Sequence, residues 1–170
     1  HTGIDAELSM NVSDIQTATP NYVQALVPGY DTILDNELVL LLAHYDGLGR
    51  DFDGTLYPGA NKNASGVAVM LETARLLKAA GYQPNRTIMY VAWTAAELGA
   101  QPDFWNMLRG RPGFLENYRI AAVIDLVGVG AGAGDTLLLE RSTSGRLTEV
   151  LQTAAKRCKV KASTLGTGIH

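Results

Sequence analysis

The sequence predicts an α/β domain with a mostly parallel, mixed sheet and helices on both faces. Short apolar segments of strand length alternate along the chain with longer segments that have apolar residues at helical spacing. In addition, the segment Leu38–Ala43 is apolar at every position and lacks the alternation of a strand with one face in water. We therefore expect Leu38–Ala43 to be a central strand that is buried on both faces.

The predicted strands are short runs of aliphatic, β-branched or aromatic residues that are bounded by turn residues. Pro28 and Gly29 separate the second strand from the third, and Asp35-Asn36 is a turn before the third. In chain order we expect strands at Asp5–Val12, Tyr22–Leu26, Leu38–Ala43, Thr87–Trp93, Ile120–Ile124, Thr136–Glu140 and Val160–Leu165.

The predicted helices have apolar residues three or four positions apart, or begin at a proline. Gly81 ends the first helix, Ser65–Ala80, and Asn63 is expected to cap its start. Shorter candidates are Pro102–Arg109 and Pro112–Tyr118, and Thr143–Cys158 is the last helix. The buried stripes would be Val67, Met70, Leu71, Ala74 and Leu77 in the first helix and Leu147, Val150, Leu151, Ala154 and Cys158 in the last. Cys158 is therefore expected to be a buried structural thiol.

Composition limits the classes of protein to consider. With 170 residues, of which 46% are hydrophobic, the chain is long enough for one domain, residues 1–170, with a real core. The net charge is −3 and no basic block indicates a nucleic-acid partner. The longest apolar run, Leu38–Ala43, is too short for membrane insertion.

Because the chain starts without methionine and stops after a Gly-Thr-Gly turn, we expect a segment truncated at both ends.

Polar residues follow three of the predicted strands. His44 follows Leu38–Ala43, Glu97 lies shortly after Thr87–Trp93, and Asp125 follows Ile120–Ile124, while His170 follows the last predicted strand. The carboxyl ends of parallel strands meet at one edge of a sheet, so we expect these side chains to converge on one pocket. Two histidines and two carboxylates suit zinc. Asp46 could accept the second ring N–H of His44 and orient it, or it could simply face water.

Four ordered blocks of sequence resemble the M28 family of zinc aminopeptidases. The blocks are AHYDGLG, YPGANKNASGVAVMLETAR, YVAWTAAELG and VIDLVG, and the resemblance extends from Asn21 to His170. It implies a zinc-exopeptidase-like fold and an extracellular or cell-surface location. It also implies that His44 and Glu97 bind one zinc ion, that Asp125 binds the other, and that His170 is the remaining ligand, although Ile169 replaces the aspartate that usually precedes this histidine.

The sequence departs from this family at two positions of the site. Lys62 stands where the family has an aspartate that bridges both zinc ions, and Ala96 stands where it has the glutamate that acts as general base. An ammonium about 4 Å from a zinc ion would be repelled by roughly 8 kcal/mol at an effective dielectric constant of about 20. We therefore expect at most one zinc ion, or none.

Three hypotheses follow from these substitutions. In the first, the domain keeps the M28 scaffold but has lost peptidase activity, and it binds a peptide or protein partner or has a structural role. In the second, it is an active aminopeptidase with a single zinc ion or an unusual base. In the third, Lys62 and Ala96 are substitutions in a parent enzyme that carries acidic residues there. Lys62 would either pair with Asp125 and Glu97 in place of a metal or point into solvent.

Overall fold

The computed structural model describes residues 21–97, 106, 117–140 and 144–164. A kinked turn, Ala60–Ala64, leads into the first helix. In chain order the elements are β1 Val23–Val27, β2 Glu37–His44, β3 Gly49–Arg50, β4 Leu56–Tyr57, α1 Ser65–Ala79, β5 Thr87–Trp93, β6 Arg119–Asp125, β7 Thr136–Leu139, α2 Gly145–Arg157 and β8 Lys161–Thr164.

The main sheet has four strands in the order β1-β5-β2-β6. β2 pairs in parallel with β5 on one side and with β6 on the other. β1 runs antiparallel to β5 and makes the sheet mixed. The predicted sheet type and the central position of Leu38–Ala43 are therefore confirmed.

Both faces of β2 are buried. On one face, Ala43 packs with Tyr90 of β5 and Met70 of α1. The opposite face forms a second cluster that comprises Leu38, Leu40, Leu42, Met89, Val91 and Trp93. This packing explains why the sequence of β2 has no polar alternation, because both of its faces pack against other residues.

Glu37 joins the amino ends of the three parallel strands. It is the first residue of β2, and its carboxylate accepts hydrogen bonds from Arg86, which precedes β5, and from Arg119, the first residue of β6. The hydrogen bond from Arg86 and the positive charges of both arginines lower the pKa of Glu37. The pair of arginines thus compensates a carboxylate at the edge of the sheet opposite to His44 and Asp125.

The smaller elements lie outside the main sheet. β3 and β4 form an antiparallel hairpin, and β7 and β8 form a parallel pair that α2 contacts. Neither α1 nor α2, the helices in the described ranges, is long and apolar enough to cross a membrane.

Two of the predicted helix faces are wrong in part. In α1, Leu71 is 62% exposed, whereas Met70 is buried. In α2, Cys158 is exposed, so the prediction of a buried thiol is wrong. Val150 and Ala154 are exposed as well, and Ala155 is the buried residue. The inward residues are thus Leu147, Leu151 and Ala155, four positions apart, so the buried stripe lies beside the one that we predicted.

Several predicted elements fall wholly or largely outside the described residues. These are the strand Asp5–Val12 and the helices Pro102–Arg109 and Pro112–Tyr118. His170 and the end of the strand Val160–Leu165 also lie outside them.

Candidate metal centre

The candidate site lies at the carboxyl ends of β2, β5 and β6. His44 and Asp125 are the last residues of β2 and β6, and Glu97 follows the end of β5 by four residues. The strand register places His44 beside Trp93 and places Asp125 beside Leu42. The parallel strands therefore deliver the three predicted residues to the same edge of the sheet.

Asp46 connects His44 to Glu97. Its Oδ1 atom lies 3.2 Å from the buried Nδ1 of His44, and its Oδ2 accepts a hydrogen bond of 3.2 Å from the backbone N–H of Glu97. The His44 ring also meets the ring of Trp93 edge-on at 6.0 Å between centroids. Asp46 thus orients the imidazole through Nδ1, as carboxylates do for histidines that bind metals through the other ring nitrogen.

Lys62 forms an ion pair with Glu97. The Nζ atom of Lys62 lies 3.1 Å from Oε1 and 3.5 Å from Oε2 of the carboxylate. The lysine side chain is 57% exposed, whereas that of Glu97 is only 15% exposed. The hypothesis of a pair with Glu97 agrees with this contact. Among the ion pairs of the described residues, none joins Lys62 to Asp125.

Asp125 keeps some access to solvent, but its carboxyl group is partly desolvated by the end of the sheet. This desolvation raises the pKa of Asp125. The electrostatic interaction with His44 acts in the opposite direction, as does a hydrogen bond from the Leu126 backbone.

Asn63 has a role that we did not predict. The N-cap of α1 is Ala64, without a side-chain hydrogen bond, so the prediction that Asn63 caps the helix is wrong. Its Nδ2 donates to the carbonyls of His44 and Leu126 instead, at 3.0 and 2.8 Å. Asn63 was not recognised from the sequence because both carbonyls lie far from it along the chain. The available signal was an amide three residues before Gly66, at a tight entry into a helix.

Ala96 offers only a methyl group beside Glu97. It packs against the cluster that contains Trp93, and Ala95 before it has a left-handed φ of 65°. The second carboxylate that the family resemblance implies is therefore missing from this turn. The sequence offers Asp46 or Asp103 as a substitute base. Asp46 contacts His44 Nδ1 and the backbone N–H of Glu97, and Asp103 lies outside the described residues.

The described residues do not fit a two-zinc centre. Among them, no group of three histidine, cysteine, aspartate or glutamate side chains is arranged to bind a metal ion. In addition, Glu97, which the family resemblance makes a zinc ligand, is paired with the Lys62 ammonium. His170, the fourth predicted ligand, lies outside the described residues, so the ligand set of His44, Glu97, Asp125 and His170 stays a prediction.

Comparisons with known proteins identify the family. The sequence model of the family described as "Peptidase family M28" matches residues 21–167. The chain belongs to peptidase family M28. Its sequence is similar to aminopeptidase YwaD of Bacillus subtilis, with 41% identity over 63 residues that make up 37% of this chain and 12% of the relative. It is also similar to human transferrin receptor protein 2, with 25% identity over 92% of this chain and 18% of that protein.

A solved structure agrees with the M28 assignment. The fold resembles BSAP, a zinc aminopeptidase from Bacillus subtilis, with a TM-score of 0.63 and 27% identity. The similarity covers 86% of this chain and 35% of BSAP. The matched parts thus make up only 12% of YwaD, 18% of transferrin receptor protein 2 and 35% of BSAP, so the chain covers a minor part of each of these relatives.

Proposed function

We propose that this M28 domain has lost peptidase activity, as a pseudoenzyme, and serves as a binding or structural module. The observation that carries the proposal is the distance of 3.1 Å between Lys62 Nζ and Glu97 Oε1. A carboxylate that binds zinc has to offer an oxygen to the metal, and here the carboxylate is already paired with a cation. A zinc ion beside Glu97 would have to displace Lys62 or tolerate its charge.

The missing acid at Ala96 supports the same proposal. Hydrolysis by the M28 chemistry needs a group that removes a proton from the attacking water, and a positioned general base typically contributes about 10²- to 10⁴-fold in rate. The methyl group of Ala96 cannot accept a proton. We therefore assign no catalytic residue in this chain.

The similarity to transferrin receptor protein 2 supports a binding role. That relative is named as a receptor, and the match covers 92% of this chain. A protein named as a receptor and one named as an aminopeptidase are thus both similar in sequence to this chain. We infer a peptide or protein partner for this domain, no nucleic-acid partner because of the net charge of −3, and an extracellular or cell-surface location.

A second candidate function is an aminopeptidase with one zinc ion. The contact between His44 Nδ1 and Asp46 Oδ1 favours it, because this orientation leaves the other ring nitrogen of His44 for a metal. In that case Lys62 would have to move from Glu97 when the metal binds. Metal content separates this candidate from the first.

The test combines metal analysis with an aminopeptidase assay on the purified full chain. After incubation with zinc and removal of the excess, bound zinc is measured by elemental mass spectrometry, and turnover is measured with a panel of aminoacyl substrates. We expect no more than weakly held zinc and no turnover above the metal-free control. Two zinc ions per chain, or turnover that a chelator abolishes, would show that the domain is not a pseudoenzyme.

A further inference from the structure

The segment that carries Lys62 is attached on both sides to a distant loop. Asn61 and Asn63 flank Lys62, and both of their side chains bind the loop Leu126–Gly130, which follows β6. This loop is more than 60 residues away along the chain. The position of Lys62 is therefore determined by contacts that do not involve its own side chain.

Asn63 makes the inner attachment. It is 1% exposed, and both of its N–H bonds are used, one to the His44 carbonyl and one to the Leu126 carbonyl. Its Oδ1 accepts the backbone N–H of Gly128 at 3.0 Å. The amide thereby links the end of β2, the loop after β6 and the start of α1. A buried amide with these partners is costly to replace, because each lost partner leaves a backbone group unpaired.

Asn61 makes the outer attachment. Its Oδ1 accepts the backbone N–H of Gly130 at 2.8 Å, and its backbone carbonyl accepts the Ser65 hydroxyl at 2.5 Å. The loop approaches so closely that a Cβ atom on Gly130 would lie 2.7 Å from the Ser65 Cβ. Among the hydrogen bonds of the described residues, the Asn61 side chain takes part through its acceptor atom alone, whereas the Asn63 side chain uses its donors and its acceptor.

An exposed lysine rarely holds one partner without such help. Lysine loses much rotamer freedom when it pairs, and an exposed ion pair is worth only about 0–1 kcal/mol. If the backbone on both sides of the lysine is already fixed, less freedom remains to be lost. The fixed backbone at Asn61 and Asn63 thus explains how a side chain that is 57% exposed stays at Glu97.

We propose that Asn61 and Asn63 form a clamp that positions Lys62 against Glu97. In the clamp, the Leu126–Gly130 loop serves as the anchor, and the two asparagines are positioning residues. The clamp rests on the same contact between Lys62 and Glu97 as the proposed loss of activity. Metal content and turnover test the loss of activity, whereas amide exchange and lysine acetylation test the clamp, so the failure of one is distinguishable from the failure of the other.

The test uses two readouts on the full chain. Hydrogen exchange by NMR reports the amides of Gly128 and Gly130, and the rate of acetylation by an N-hydroxysuccinimide ester reports how strongly Lys62 is held. Lys78, an exposed lysine on α1, is the internal standard for acetylation, and Asn85→Ala removes an exposed asparagine as the matched control variant. A purely structural role of Asn61 would not change the acetylation of Lys62 relative to Lys78.

For Asn61→Ala we expect exchange at Gly130 to rise by roughly five- to tenfold, with Gly128 unchanged. Acetylation of Lys62 should rise by about two- to fivefold relative to Lys78, as expected when an exposed ion pair is lost. Asn61→Asp keeps the acceptor and should restore both values. An unchanged acetylation rate of Lys62 in a folded Asn61→Ala protein would overturn the proposal.

Replacing Asn63 by aspartate gives an independent comparison with Asn61→Asp. Asn63→Asp places an oxygen against the carbonyls of His44 and Leu126, so we expect exchange at Gly128 to rise and the melting temperature to fall. If the Asn63 variant does not fold, the Asn61 variants still decide the question. Equal effects of aspartate at the two positions would contradict the assigned donor and acceptor roles.

Discussion

The Nζ atom of Lys62 lies 3.1 Å from Oε1 of Glu97, and this contact joins the turn before α1 to the turn after β5. In the M28 resemblance these two positions correspond to the bridging aspartate and a zinc ligand. The chain thus carries a positive charge, on Lys62, where the family has a negative one, and this charge pairs directly with the carboxylate of Glu97. Restoring a negative charge at position 62 is therefore the most direct way to test the site.

We expect Lys62→Asp combined with Ala96→Glu to increase bound zinc from at most one ion to two per chain. The bridging carboxylate would reduce the repulsion between the dications, and the second substitution would supply the missing base. Elemental mass spectrometry after dialysis measures the metal content. The single Ala96→Glu variant is the control and should bind no more zinc than the parent. If the double variant also bound no additional zinc, a feature other than Lys62 would be what excludes the metals.

Glu37 should make the stability of the domain sensitive to acid. The arginines hold its pKa below the ordinary value of 4.5, so the ion pairs contribute fully above that value and are lost as the pH falls through the folded pKa. Glu37→Gln should therefore lower the melting temperature by a few degrees at neutral pH, and the difference should shrink in acid. Glu72→Gln, which removes an exposed pair with Arg75, is the matched control and should have little effect. A constant difference between Glu37→Gln and the parent at every pH would exclude this role.

Gly66 should tolerate no side chain. A Cβ atom there would overlap the Leu126 carbonyl and lie 2.5 Å from Oδ1 of Asn63. We expect Gly66→Ala to cost on the order of 1–3 kcal/mol in the free energy of unfolding, as overpacking typically does. Gly145→Ala is the control, because nothing lies within 4 Å of its added Cβ atom. Chemical denaturation of the two variants measures the difference, and equal stabilities would contradict the tight contact.

Tyr90 should be replaceable by phenylalanine without loss of stability. Its hydroxyl is buried and has no hydrogen-bond partner within the described part of the chain, and desolvation raises the pKa of Tyr90. Removing an unsatisfied hydroxyl should leave the free energy of unfolding unchanged or raise it by up to about 1 kcal/mol. Denaturant titration measures this, with Tyr82→Phe at an exposed site as the control. A marked loss of stability in Tyr90→Phe would reveal a partner for the hydroxyl.

The strands and the first helix could be predicted because their burial is simple. β2 is apolar throughout since both of its faces pack against other residues, and α1 begins at the predicted Ser65. The antiparallel direction of β1 could not be predicted, because a short strand at the edge of a sheet has the same composition in either direction. The burial of Cys158 was predicted wrongly because helical spacing does not show how wide the buried stripe of a helix is. α2 contacts a small two-stranded sheet, so only a narrow stripe of the helix is buried.

The site could be predicted in part. Strand ends made His44, Glu97 and Asp125 identifiable, and the charges of Lys62 and Glu97 made their pairing a natural hypothesis. The role of Asn63 could not be read from its neighbours, because an asparagine before a helix usually caps it. The carbonyls that Asn63 binds belong to β2 and to the loop after β6, which approach it only in the folded chain.

The burial of Asn63 also affects how the protein is produced. Residues 63–65 read Asn-Ala-Ser, an acceptor sequence for N-linked glycans, yet folding encloses this amide almost completely. A sugar attached to the nascent chain would take one N–H of the amide and could not fit inside the fold, so modified chains would be lost to misfolding. Asn85, in Asn-Arg-Thr, is exposed and has room for a glycan. In a host that glycosylates secreted proteins, mass spectrometry of the folded fraction should therefore find Asn63 bare, even where Asn85 is occupied.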